Sequence, residues 1–192
     1  MAEAFFREGK HVVTKVDPVE RSMVRQLLDE MCELLTADDD IDAIDLDPLA
    51  AQLGLQDLTG EEVETPEDPV LARLLPDAYT EDEESASEFR RLTDTSLRRG
   101  KIDDAEIMRM GLDRADSDPN GTVALTPDQA VSWLRALNDL RLALGVRLEI
   151  TTDSALDTAG IPDDDPRAVL VAPYDFLTWW QDSLLNALAT QE

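Results

Sequence analysis

Six consecutive residues, Asp116-Ser117-Asp118-Pro119-Asn120-Gly121, have the types and spacing for metal chemistry. D-x-D-x-N-G opens a calcium-binding EF-hand loop, whose alternating side-chain oxygens surround a hard cation. The rest of the loop departs from that pattern. Its position 12 should carry a bidentate glutamate and is Pro127, which has no side-chain oxygen, and position 9 is Ala124. The run therefore reads as an Asn-Gly turn followed by a helix cap at Thr126, and no metal site is expected.

Catalysis has equally few candidates. His11 is the only histidine, so a Ser-His-Asp site or a multi-histidine metal site would have to be built around one ring near the N-terminus. The 43 Asp and Glu residues make paired acids unavoidable by chance, so such pairs identify no glycosidase-like centre. The eight glycines are scattered, and none form a phosphate-cradling loop. No catalytic residue, cofactor or metal ligand is assigned, and the chain is expected not to be an enzyme. A carboxylate-based, metal-dependent enzyme is the alternative. Cys32, the only cysteine, is the one residue that could carry redox chemistry. Asp29, Glu30 and Glu33 beside it should raise its pKa, so it reads better as a small buried hydrophobe.

Partner recognition has better candidates. Asn138, Asp139 and Arg141 interrupt an otherwise apolar helical stretch, where a charge must be paired or exposed. Arg135 and Asp139 are spaced as an i,i+4 pair, and the segment reads either as an exposed helix face or as a polar contact with a partner. Trp179 and Trp180 are adjacent and about 100° apart on a helix, so they cannot share one face. One of them is free to reach a partner or a dimer mate. The candidate partner-binding set is Asn138, Asp139, Arg141, Trp179 and Trp180.

The elements that position these residues follow from apolar spacing and caps. Residues 4–6 and 11–16 flank Glu8-Gly9 as a β-hairpin. Asp17-Pro18 caps and opens a helix to about Thr36, with Met23, Leu27, Met31 and Leu34 on one stripe. Residues 38–47 are an acidic loop, and Asp47-Pro48 and Asp68-Pro69 open short helices on either side of a polar linker at 59–67. A helix from about residue 80 to Gly100 and a second one capped by Asp103 or Asp104, carrying Ala105, Met108, Leu112 and Ala115, come next. Thr126-Pro127 opens the central helix, with Trp133, Leu137, Leu140, Leu144 and Leu148 on one face. An irregular acidic stretch near 151–168, a short strand at 168–171 and a final helix from Pro173 complete the chain. The expected fold is mainly α, a single domain over 1–192 with a hairpin at 1–16 and a helical bundle at 17–192.

Charge limits the partners further. Forty-three acidic against 17 basic residues give a net charge of -26, which opposes direct contact with nucleic acid, since that affinity comes from Lys and Arg displacing counterions. The same surplus favours basic or amphipathic protein partners, although it also serves solubility alone. The first 16 residues mix charges into their apolar positions and lack a signal-peptide core, and no apolar run approaches the roughly 20 residues of a membrane span. One cysteine allows no internal disulfide, and a reducing, cytoplasmic compartment is expected.

Three segments carry a family resemblance: residues 68–79, beginning Asp68-Pro69-Val70-Leu71; residues 137–150, beginning Leu137-Asn138-Asp139-Leu140-Arg141; and residues 174–185. With the hairpin-like start and the Pro18 helix, they resemble over nearly the whole chain an actinobacterial family of unknown function that includes the mycobacterial oxidative stress regulator AosR. The Asn-Asp-Leu-Arg segment is the most specific mark. The resemblance implies genes encoded beside the protease adaptor ClpS and near sulfur or cysteine metabolism. It also implies a cytoplasmic regulator working through protein contacts with a sigma factor of RNA polymerase or with Clp machinery. Cys32 stands alone, so sensing through an internal disulfide does not carry over. A non-enzymatic regulatory or adaptor protein in stress response is the leading expectation. A structural homodimer packing Trp179 or Trp180 across a twofold axis is a further alternative.

Overall fold

In the computed structural model, residues 2–37, 66–76, 83–150, 158–162 and 164–189 are described, and they form a mainly α fold with one small sheet. The hairpin consists of β1 (Phe6–Glu8) and β2 (His11–Lys15), paired antiparallel about Gly9. Helix α1 (Pro18–Thr36) starts at Asp17, whose carboxylate accepts the Val19 and Glu20 amides at 2.9 and 3.1 Å, filling two of the donors every helix start leaves open. Helix α2 (Pro69–Leu74) repeats the device with Asp68, which accepts the Val70 and Leu71 amides at 2.7 and 3.2 Å. The loop expected at 38–47, the short helix expected from Pro48 and most of the 59–67 linker lie outside the described residues.

Helix α3 (Glu83–Asp116) corrects the expected pair of helices, because it runs unbroken through Gly100 and Asp103-Asp104. A glycine inside a helix costs only about 1 kcal/mol, and packing on both sides of Gly100 outweighs it. On one side buried Arg98 donates from Nε to Asp94 at 2.6 Å and from Nη1 to the Leu35 carbonyl at 2.9 Å, closing the last turn of α1. On the other, Met108 and Leu112 are fully enclosed in the core.

A third strand, β3 (Thr122–Leu125), was not expected and pairs antiparallel with β2, Thr14 facing Val123 and Val12 facing Leu125. The alternation that buries Val123 and Leu125 was present in the sequence, but four residues between a turn and a cap are a weak signal. Helix α4 (Pro127–Arg147) opens with a capping box: Thr126 Oγ1 accepts the Gln129 amide at 3.3 Å, and Gln129 Oε1 accepts the Thr126 amide at 3.0 Å. After a 3-10 turn (Thr158–Gly160), α5 (Ala168–Ala189) occupies the residues read as a strand and takes Pro173 into its interior. Val169, whose carbonyl an amide at 173 would have reached, is exposed, so water can satisfy what the proline leaves open.

Among the described residues, the core is one contiguous apolar cluster. Helix α4 lies at its centre, touching α1, α2, α3, α5 and strands β2 and β3. Trp133 and Trp180 are fully buried at its heart, their rings edge to face at 5.6 Å, and Phe5 stacks on Trp180 at 5.2 Å. Each such ring contributes on the order of 2–3 kcal/mol on leaving water, and the trio joins the N-terminal segment to α4 and α5. Trp180 Nε1 also donates to buried Thr14 at 3.5 Å, tying β2 into the same contact.

Candidate functional site: a groove between three helices

The expected EF-hand-like run has a different occupation in the folded chain. Asp116 closes α3, and its two carboxylate oxygens face Arg21 and Arg25 of α1, with Arg21 Nε at 2.9 Å. Asp118 turns its carboxylate onto the Asn120 amide at 2.8 Å and its carbonyl onto the Gly121 amide at 2.9 Å. Gly121 has φ +64°, and a Cβ there would overlap the Val16 carbonyl oxygen, so this turn admits only glycine. The motif is the joint between α1, α3 and β3.

The partner candidates separate by depth. Trp180 is enclosed in the core and is corrected as a surface residue. Trp179 is 41% exposed, with the Phe176 ring 6.1 Å away. Arg141 is a fastener rather than a free contact: its Nε donates to Thr178 Oγ1 at 3.0 Å, its Nη1 to Gln181 Oε1, and its guanidinium lies 5.8 Å from the Tyr174 ring centre. It binds α4 to α5. Asp139 is buried rather than on an exposed face, and it accepts from Lys101 of α3 at 2.7 Å, not from Arg135. Arg135 instead points at Asp104 of α3, 3.6 Å away.

These last contacts line a groove of about 580 Å³ between α3, α4 and α5. Asn138 and Asp139 belong to it, and Arg141, Trp179 and Trp180 do not. Its apolar surface comes from Leu97, Leu134 and Leu185, of which Leu97 and Leu185 are exposed. Its polar floor is the Lys101–Asp139 pair, with Gln181 beside it. Gly100 forms part of the wall, and an added Cβ there would meet nothing within 4 Å. The size falls in the range of small-molecule and helix-binding clefts, which combine apolar walls with a few fixed polar groups.

Burial drives the Asp139 carboxyl above the ordinary aspartate value, opposed by the hydrogen bond and charge of Lys101 and reinforced by Asp104. Asp139 is thus a recessed carboxylate that its one lysine does not fully compensate. Cys32 lies elsewhere, half-buried on α1. Burial first, then the charges of Asp29 and Glu106, push its thiol up, with Arg109 opposing. A thiol so placed is a poor nucleophile at neutral pH. His11 sits exposed at the start of β2.

As site residues, Lys101, Asp104, Gly100, Leu97 and Leu185 escaped the sequence reading. The spacing of the first four becomes a signal only when α3 is known to be continuous, because Leu97, Gly100, Lys101 and Asp104 then fall on one helical face.

Comparison with known proteins places this geometry in a group. A family described as a domain of unknown function, DUF2017, matches residues 2–188. The oxidative stress regulator AosR of Mycobacterium tuberculosis is 32% identical over 194 residues, covering 95% of this chain and 84% of that protein. The putative oxidative stress regulator AosR of Mycobacterium leprae is 32% identical over 203 residues, covering 96% and 89%. No solved structure matches the chain. The family match takes in the sheet and reaches all five described helices, including the three that frame the groove, and the chain belongs to the DUF2017 family.

Proposed function

We propose that this chain is a non-enzymatic regulator in the response to oxidative stress that works in the cytoplasm by binding other proteins, a sigma factor of RNA polymerase foremost and Clp machinery second. The observation that carries the reading is the groove between α3, α4 and α5, which exposes Leu97 and Leu185 around a polar floor whose charges are already paired. Such a surface suits a protein segment better than a reacting substrate. The names of the mycobacterial relatives supply the oxidative stress context. A net charge of -26 supports contact with proteins over direct contact with DNA. Cys32, being the only cysteine and held as a thiol by burial, makes an internal disulfide switch unavailable. Capture of partners by the tagged chain from its source cells, with and without peroxide, tests the reading. Specific recovery of a sigma factor, another polymerase subunit or a Clp component is expected.

A further inference from the structure

Resting on the protein-contact reading, the inference concerns what the groove holds. We propose that it receives a basic amphipathic helix of a partner, which lays leucine-like side chains against Leu97, Leu134 and Leu185 and puts one lysine or arginine on Asp104 in place of Arg135. Three observations carry this.

The first is the inequality of the two ion pairs. Lys101 and Asp139 are both recessed, with side chains 19% and 7% exposed and 2.7 Å apart. Asp104 is also recessed, at 13%, but the Arg135 that faces it is 65% exposed and stands at 3.6 Å. A contact of that length, made by a side chain lying mostly in water, contributes little. Asp104 is therefore a fixed, half-hidden carboxylate with a weakly held cation, which an incoming one can replace. The second is charge at long range: the chain carries -26, and many of its basic groups, among them Arg21, Arg25, Arg98, Arg109 and Arg167, already hold carboxylates of the chain itself. A cationic segment is steered toward the chain as a whole and an anionic one is repelled, and within the groove, where Lys101 and Arg135 balance Asp139 and Asp104, the weakly covered Asp104 is the point such a segment can take. The third is shape: three helices leave an open trough beside Gly100, where an added Cβ meets nothing within 4 Å, and a fourth helix fills such a trough with residues at i, i+3 and i+4.

A labelled model peptide of about 18 residues, long enough to be helical, with a leucine stripe and lysines elsewhere is the probe, followed by fluorescence anisotropy against the full chain. Its glutamate counterpart and a scrambled version are the controls. Saturable one-to-one binding of the leucine-lysine peptide alone is expected. Gly100→Trp, which puts an indole at an exposed position of the trough wall, should weaken it about tenfold or more, and Asp104→Asn should weaken it several-fold. Arg135→Gln should tighten binding, and by more than Lys10→Gln, which makes the same charge change at the exposed hairpin turn. Leu185→Asn, which removes an apolar contact at an exposed position without changing the charge, repeats the test should Gly100→Trp fold poorly.

Equal binding by the Gly100→Trp and natural chains would mean attraction spread over the acidic surface, and it overturns the proposal. So does binding of the glutamate peptide, no saturable binding, or a dimer of this chain that Gly100→Trp dissociates. Undiminished capture of cellular partners by Gly100→Trp overturns the groove as their site while leaving the regulatory reading intact. Groove binding that passes every peptide test without any captured partner removes the regulatory reading instead.

Discussion

Lys101 and Asp139 form a pair whose members are not interchangeable in their effect. The raised carboxyl of Asp139 means that its folded-state pKa exceeds its unfolded one, so the folded chain binds this proton more tightly. Its contribution to stability is greatest below the ordinary aspartate value and is lost as pH rises through the folded value. At neutral pH the ionised group is a net cost that Lys101 offsets in part. Asp139→Asn keeps an oxygen for Lys101 and removes the titrating group, so unfolding stability should show a flatter dependence on pH above the ordinary aspartate range. Lys101→Met strands the carboxylate and should cost about 2–3 kcal/mol, both read by denaturant unfolding. Cys32 gives a second residue-scale prediction. Alkylation by iodoacetamide at neutral pH should run slower than for a free cysteine, and Glu106→Gln should speed it by removing one of the charges that raise the thiol. A rate equal to that of a free thiol would show that burial does not govern this side chain.

Glycines within one element separate by what surrounds them. Gly100 and Gly111 both lie inside α3 and carry the same penalty in helix propensity. Gly111→Ala would bring Cβ to 2.7 Å from Cζ2 of the enclosed Trp133, which has no room to withdraw, so a loss of about 1–3 kcal/mol is expected despite the gain in propensity. Gly100→Ala meets open space and should stabilise by about 0.5–1 kcal/mol. Thermal melts of the two variants, shifting in opposite directions, check the pair. The same contrast explains what could be read from the sequence. The starts of α1, α2 and α4 were legible because an oxygen-bearing cap before proline is a local device. The continuity of α3 was not, because it depends on Arg98 reaching the Leu35 carbonyl and Lys101 reaching Asp139, both distant in sequence. The helix over 168–171 was misread as a strand because the run Ala-Val-Leu-Val has high β-propensity and Pro173 suggested a start, while its packing beside α4 decided otherwise. At the site, Asn138 and Asp139 could be singled out as polar residues in an apolar helix. Their α3 partners could not be identified without the fold.

At the scale of the whole molecule, the charge and the groove act together. With 43 acidic and 17 basic residues, the folded chain repels itself, and salt should relieve this: raising sodium chloride from about 10 mM to about 500 mM is expected to raise the melting temperature by a few degrees, and a fall would mean that the ion pairs outweigh the surplus. On the proposed reading, acidity sets what approaches the protein, and the trough between α3, α4 and α5 sets what can stay. The central claim, action through protein contact, is tested most directly by quantitative capture from source cells with the tagged natural chain, before and after peroxide. The account predicts specific enrichment of a sigma factor, another polymerase subunit or a Clp component. Recovery of no protein above background, with all of these absent, would contradict it.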